Sequence, residues 1–199
     1  MKQLLENLRR AEDSLSLSSE QIVILMRQHL ASKNASRLPV LMVTAAYMSV
    51  SHKIGEINLP LESHNAADSQ TGAIGDIEIT LINDEKIATC YEMKDKRVTK
   101  DDINHAMAKV ASAAEKPDNY IFITTDLIEL EVSEYAQSIY EQAGIEVVIL
   151  DCIGFIRHFL HFFHRERTSF LNNYQSLVLS QPTSSVGQPL KELFLTLRR

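Results

Sequence analysis

The sequence predicts an α/β domain with a mixed central sheet flanked by helices, and three observations predict it. Two short apolar runs, NYIFITT and IEVVILD, alternate with amphipathic helical stretches. Two further strand-like segments, GDIEITLI and IATCYEMKDK, are joined by the polar turn NDEK, the pattern of an antiparallel hairpin. Apolar residues make up 45% of the 199 residues and charged residues 23%, the balance of an ordinary soluble globular chain.

The elements follow in order. MKQLLENLRRAED carries apolar residues at helical spacing. SLSSEQIVILMRQHLAS continues as a second helix, with Ser18 or Ser19 as its N-cap. After the polar break KNASR, PVLMVTAAYMSVSHKIG reads as a largely buried helix with Pro39 in its first turn. INLPLES is a short strand that Pro60 assigns to an edge or a strand start. HNAADSQTGAIG is a polar loop leading into the hairpin. VTKDDINHAMAKVASAAEK is a helix, in which Thr99 and Asp102 have capping-box spacing with Asp in place of Glu. NYIFITT is a buried strand, EVSEYAQSIYEQAG a helix ending at Gly144, and IEVVILD another buried strand. IGFIRHFLHFFHRERTSFLNNYQSLVLS reads as one long amphipathic helix, and LKELFLTLRR as a short terminal one. The expected organisation is an N-terminal helical extension over 1–38, a core over 39–151 and C-terminal helices over 152–199, packed on the core or at a dimer interface.

Cys90 and Cys152 both sit in apolar strand-like runs, as expected of buried free thiols in a reducing compartment. The N-terminus lacks the apolar stretch of a signal peptide. No segment approaches the roughly 18 apolar residues of a membrane span. These features point to a cytoplasmic protein. The net charge of −6 argues against a general nucleic-acid coat, yet it is compatible with an acidic metal site beside a local basic strip.

The hairpin carries the chemistry. Side chains alternate faces along a strand. Ile77, Ile79 and Leu81 on one strand, and Ile87, Thr89, Tyr91 and Met93 on the other, should face the core. Asp76, Glu78, Glu92 and Lys94 should then emerge on the opposite face. A two-residue loop at Asp84-Glu85 would oppose Asp76 to Met93 and mix the faces. A loop of odd length, or a bulge, opposes Asp76 to Glu92 or Lys94, and the hydrophobic pattern demands that register. Two carboxylates and an ammonium then converge at one end of the sheet. Paired carboxylates suit Mg2+, which retains waters and accepts phosphate oxygens. A metal polarises a scissile phosphate, and a lysine can hold or deprotonate the attacking water or stabilise developing charge. This is an inventory for phosphodiester hydrolysis.

Gly75-Asp76, followed sixteen residues after Asp76 by Glu92-Met93-Lys94, resembles the PD-(D/E)xK signature of restriction-endonuclease-like nucleases. Over residues 39–151 the order of elements is similar as well. The segments SHNAADSQTGAIGD and EMKDKRVTKDDI further resemble type II restriction enzymes of the SacI type. Gly75 stands where the signature has Pro, a position that varies in the superfamily. The resemblance implies a restriction-endonuclease-like core, with Asp76 and Glu92 as metal ligands and Lys94 as the catalytic lysine. It also implies a further acid from the first core helix, for which Glu56 is the first candidate and Glu62 the second. Glu78 shares the face and is assigned a solvated or supporting role.

Lys96, Arg97 and Lys100 follow the catalytic strand and form a basic strip where DNA phosphates would lie. The polar loop from Ser63 to Thr71, with Ser63 and Asn65, offers side chains able to read base edges, or merely to keep a loop soluble. His158, His161 and His164 recur every third residue beside Arg157, Arg165 and Arg167. That spacing smears them around a helix with no acid at the right interval, so a partly exposed helical face is the better reading. Phe155, Phe159, Phe162 and Phe163 read as core or interface.

The expected function is that of a Mg2+-dependent endonuclease acting on double-stranded DNA, of type II restriction kind. It is expected as a homodimer, because a palindromic double-strand cut needs two copies of the site. A repair or junction-resolving nuclease would carry the same site. A non-catalytic DNA- or partner-binding module would not need Asp76, Glu92 and Lys94 intact. A flavodoxin-like ligand-binding domain would need phosphate-cradling Gly loops after its strands, and the sequence has none.

Overall fold

The computed structural model describes residues 17–61, 73–114 and 116–198. The helix expected over residues 1–13 lies outside them. The described chain runs α1 (Ser19–Leu30), α2 (Leu38–Ile54), β1 (Glu56–Asn58), β2 (Ile77–Leu81), β3 (Ile87–Lys94), α3 (Lys100–Ser112), β4 (Asn119–Thr124), α4 (Leu130–Ala143), β5 (Glu146–Asp151), α5 (Cys152–Phe162), a 3-10 turn (His164–Glu166), α6 (Arg167–Ser180) and α7 (Gln188–Leu197). Ser18 is the N-cap of α1, and its exchange with Gln21 completes a capping box. No helix among the described residues is long and apolar enough to cross a membrane.

The five strands lie in the order β1-β2-β3-β4-β5. β1, β2 and β3 are antiparallel neighbours. β3, β4 and β5 are parallel, with β4 and β5 each reached through a helical crossover. The sheet is therefore mixed, as expected, and β1 is one of its edges.

Both faces of the sheet are covered, and the odd and even positions of the hairpin divide between them. Ile77, Ile79, Tyr91 and Ile123 join one core with α1, α2, α5, α6 and α7. On the other face Cys90, Tyr120, Phe122, Val147 and Ile149 join a second core with Ile103, Ala106 and Val110 of α3 and Val132, Ala136 and Ile139 of α4. The parallel half requires this, because its crossover helices must lie on the sheet they connect. Glu92 and Lys94 therefore sit partly covered, with side chains only 17% and 21% exposed. Both cysteines are buried and free.

The long C-terminal helix expected over 153–180 is broken. Phe163 leaves helical geometry (φ −106°, ψ 45°), and the 3-10 turn after it redirects the chain. α5 packs on α1 whereas α6 packs along α2. One straight helix could not bury Phe159 and Leu160 of the first run together with Phe170, Leu171 and Tyr174 of the redirected one. α7 then closes over α1: the buried His29 ring bonds the Tyr174 hydroxyl at 2.9 Å and the Leu190 carbonyl oxygen at 3.0 Å.

Candidate active site

The β2–β3 ladder pairs Ile77 with Tyr91, Glu78 with Cys90 and Ile79 with Thr89, then shifts at a bulge so that Thr80 meets Ile87. The pairing ends at Ile77, and Asp76 lies in a bend just before it. A bulge is thus the device that resolves the parity conflict between turn and hydrophobic pattern. The Asp76 amide donates to the Tyr91 carbonyl oxygen at 2.8 Å. The Asp76 carboxylate in turn accepts the Met93 amide at 2.7 Å. Gly75 makes this approach possible: a Cβ there would lie 2.7 Å from the Tyr91 carbonyl oxygen.

A polar network holds both acids. The Tyr120 hydroxyl lies 3.2 Å from Glu92 Oε2 and 3.1 Å from the Ile74 carbonyl oxygen. The Ile74 amide donates to Glu78 Oε1 at 2.7 Å. Glu78 and Tyr120 thereby grip the segment just before Asp76 through the amide and the carbonyl of one residue, Ile74. Burial, then the charge of Glu92, raises the Tyr120 phenol well above its ordinary range, so it remains a donor.

Lys94 Nζ lies 3.2 Å from Glu92 Oε1 and 3.2 Å from Asp102 Oδ1. Burial alone would lower its pKa, but Glu92 and Asp102 more than offset that, and the ammonium is held above the usual lysine range. Asp102 completes the expected capping box of α3 with Thr99. Lys109, further along α3, places its Nζ 3.8 Å from Glu92 Oε2. Buried Arg37 stands at the N-cap of α2. Its burial lowers the guanidinium pKa and the charge of Asp76 works against that, which puts Arg37 within electrostatic reach of the acid.

Four residues here escaped sequence reasoning: Arg37, Asp102 as a partner of Lys94, Lys109 and Tyr120. Only Asp102 and Tyr120 left a signal, the capping-box spacing and a hydroxyl inside an otherwise apolar strand.

Glu56 does not join the group. It begins β1 opposite Leu81, at the far end of β2 from Asp76, and its charge acts on the hydrogen-bonded pair Tyr47–Tyr91 on the other face. Glu62, Ser63 and Asn65, with the rest of the polar loop, lie outside the described residues. Lys96 and Arg97 are exposed after β3. Arg97 pairs with Glu129 and Lys100 with Glu131, both acids flanking the start of α4. The α5 histidines diverge: His158 stacks on Phe162, whereas His161 and Arg157 bind Glu20 of α1. An acid does meet them, but it comes from another helix.

Among the described residues no group of three His, Cys, Asp or Glu side chains is placed to hold a metal. Asp76 and Glu92 form a two-carboxylate set with the oxygen chemistry of a hard cation, which can draw its remaining ligands from water and phosphate. A cavity of about 180 Å3 opens beside Asp76, lined by Leu59, Pro60, Ala73, Gly75 and Glu78. An apolar cavity of about 200 Å3 between α2 and α5 lies behind the sheet, where Tyr91 rather than Glu92 points.

The SacI restriction endonuclease C-terminal domain family matches residues 14–125, more than half of the chain. The chain belongs to this family. The match to the SacI domain runs from just before α1 to the end of β4, and so includes Asp76, Glu92, Lys94, Asp102 and Tyr120. It makes the chain a member of a restriction-endonuclease domain family and supports a nuclease role in a restriction system. No curated protein matches the chain.

Proposed function

We propose that this domain hydrolyses DNA phosphodiester bonds as part of a type II restriction endonuclease, with Mg2+ held by Asp76 and Glu92 and with Lys94 as the catalytic cation. One observation carries the reading: the Asp76 carboxylate accepts the amide of Met93, the residue between Glu92 and Lys94, and the Lys94 ammonium lies against Glu92 at the same strand end. Membership of the SacI family supports it.

Mg2+, when bound, supplies Lewis-acid polarisation of the scissile phosphate. The chain's own groups do the rest. The Met93 amide and the Tyr120 hydroxyl orient the two carboxylates, as supporting donors do around metal ligands. Lys94, kept as an ammonium, stabilises the negative charge that grows on the phosphate oxygens during attack. Lys96, Arg97 and Lys100 contact the flanking phosphates once these displace Glu129 and Glu131 from Arg97 and Lys100. Cutting both strands of a duplex requires two sites, and we infer a homodimer. Phe162 on α5, 71% exposed, belongs to the C-terminal helices proposed for that contact.

The test is incubation of mixed plasmid and phage DNA with Mg2+, beside Asp76→Ala and Lys94→Ala. Discrete fragments from the parent chain alone, abolished by chelator, are expected. Absence of both cleavage and metal binding in a folded parent would sink the reading. Sedimentation velocity reads the oligomeric state.

A further inference from the structure

We propose that Asp102 is the positioning residue for Lys94: it holds the ammonium in the site when a divalent cation takes Glu92. The inference rests on the nuclease reading above and deepens it.

The two oxygens of Asp102 do different work. Oδ2 accepts the Thr99 amide at 2.9 Å and the Thr99 hydroxyl at 2.7 Å, which accounts for the helix cap. Oδ1 takes no part in the cap and lies 3.2 Å from Lys94 Nζ. Lys94 is thus suspended at equal distances between Glu92 and Asp102. Glu92 is already shared, its other oxygen facing Tyr120 and Lys109.

A divalent cation on Glu92 changes that balance. Like charges a few ångströms apart repel, so the ammonium must leave Glu92. Without Asp102 it would either stay and compete with the metal or move out into solvent. With Asp102 it keeps an anion fixed to a capped helix turn, next to the carboxylate it has just left. Asp at this capping-box position, in place of the longer Glu, also keeps the charge on the helix N-terminal turn, close to β3.

The experiment compares Asp102→Asn, Asp102→Glu, Thr99→Ala and Asp101→Asn with the parent. Calorimetric titration with Mn2+ in the absence of DNA, kcat and KM of cleavage, and melting temperature are all read. Asp102→Asn is expected to lower kcat and weaken Mn2+ binding by roughly 10–100-fold, the usual consequence of removing an outer-shell partner, with KM for DNA little changed. Asp102→Glu should recover part of both losses. Asp101→Asn removes a neighbouring charge from the same turn and should shift Mn2+ binding by about twofold at most, as expected of a screened, exposed charge. Thr99→Ala should lower the melting temperature while leaving kcat and Mn2+ affinity near parental. Equal losses in Thr99→Ala and Asp102→Asn would reduce Asp102 to a cap and overturn the proposal. So would parental kcat and metal affinity in Asp102→Asn. A parent that binds no Mn2+ and cuts no DNA would instead overturn the nuclease reading itself.

Discussion

The Asp76 carboxylate accepts the backbone amide of Met93, the residue between Glu92 and Lys94, at 2.7 Å. One acid therefore fixes the backbone from which the other acid and the lysine project. Asp76→Ala should lose both the metal and this tie. Leaving a partly buried amide unpaired costs about 1–3 kcal/mol. Asp76→Asn keeps an acceptor for Met93 and should melt near the parent, yet lose Mn2+ binding. Calorimetric titration and thermal melts of the two variants separate the two roles.

Tyr120→Phe removes one hydroxyl and two contacts. The Ile74 carbonyl oxygen loses its Tyr120 partner, and Glu92 loses an orienting donor. The expected cost is about 1–3 kcal/mol in denaturant unfolding. Metal affinity should fall by roughly 10-fold or more, the scale for removal of a supporting hydrogen bond.

Gly75→Ala forces a Cβ to within 2.7 Å of the Tyr91 carbonyl oxygen, and backbone on both sides must give way. The variant should lose about 1–3 kcal/mol, the range for overpacking. Cleavage should fall further than stability explains, because Asp76 moves with its neighbour. A crystal structure or amide chemical shifts of Tyr91 and Met93 would register the displacement.

His29 gives stability a pH dependence of known sign. Burial lowers its pKa below the ordinary 6.5, against the opposing effect of the Leu190 carbonyl oxygen. The unfolded chain therefore binds a proton more readily than the folded one, and stability rises with pH across this interval. The contribution is complete above about pH 6.5 and is lost as pH falls from there through the lower folded value. Melting temperatures between pH 5 and pH 8 should fall toward acid more steeply in the parent than in His29→Gln. Equal slopes would show that His29 does not drive the effect.

The basic strip predicts a charge competition. Glu129→Gln with Glu131→Gln frees Arg97 and Lys100 from their acidic partners and should tighten DNA binding at low salt. Lys96→Ala should weaken binding on all sequences and reduce the slope of log K against log salt by about 1. Binding titrations at several salt concentrations check both.

Much of this fold was legible because its signals are local. Thr99 and Asp102 lie three residues apart and cap α3 as their spacing requires. Gly144 ends α4 with φ 69°, a geometry that glycine adopts without steric cost. The pairing of Ile77 with Tyr91 and of Ile79 with Thr89 was legible for a different reason: one face of each hairpin strand is apolar, and only one parity of register buries both faces together. Other features lay beyond the sequence because they depend on partners distant along it. The break at Phe163 is set by where α1 and α2 lie beneath α5 and α6, and nothing within an amphipathic run of that length marks it. Glu56 sits close to the helix end where an acid was sought, but the antiparallel pairing of β1 carries it to the opposite end of β2.

The sequence by itself determined the α/β class, the mixed sheet and the strand that carries Glu92 and Lys94, because alternation, capping and turn chemistry are properties of neighbouring residues. Only the tertiary structure decided what surrounds those two residues. The crossover helices bring Asp102, Lys109 and Tyr120 onto Glu92 and Lys94. A sheet covered on both faces makes Glu92 and Lys94 part of a half-buried, interlocked group, and burial is what makes each of those contacts matter.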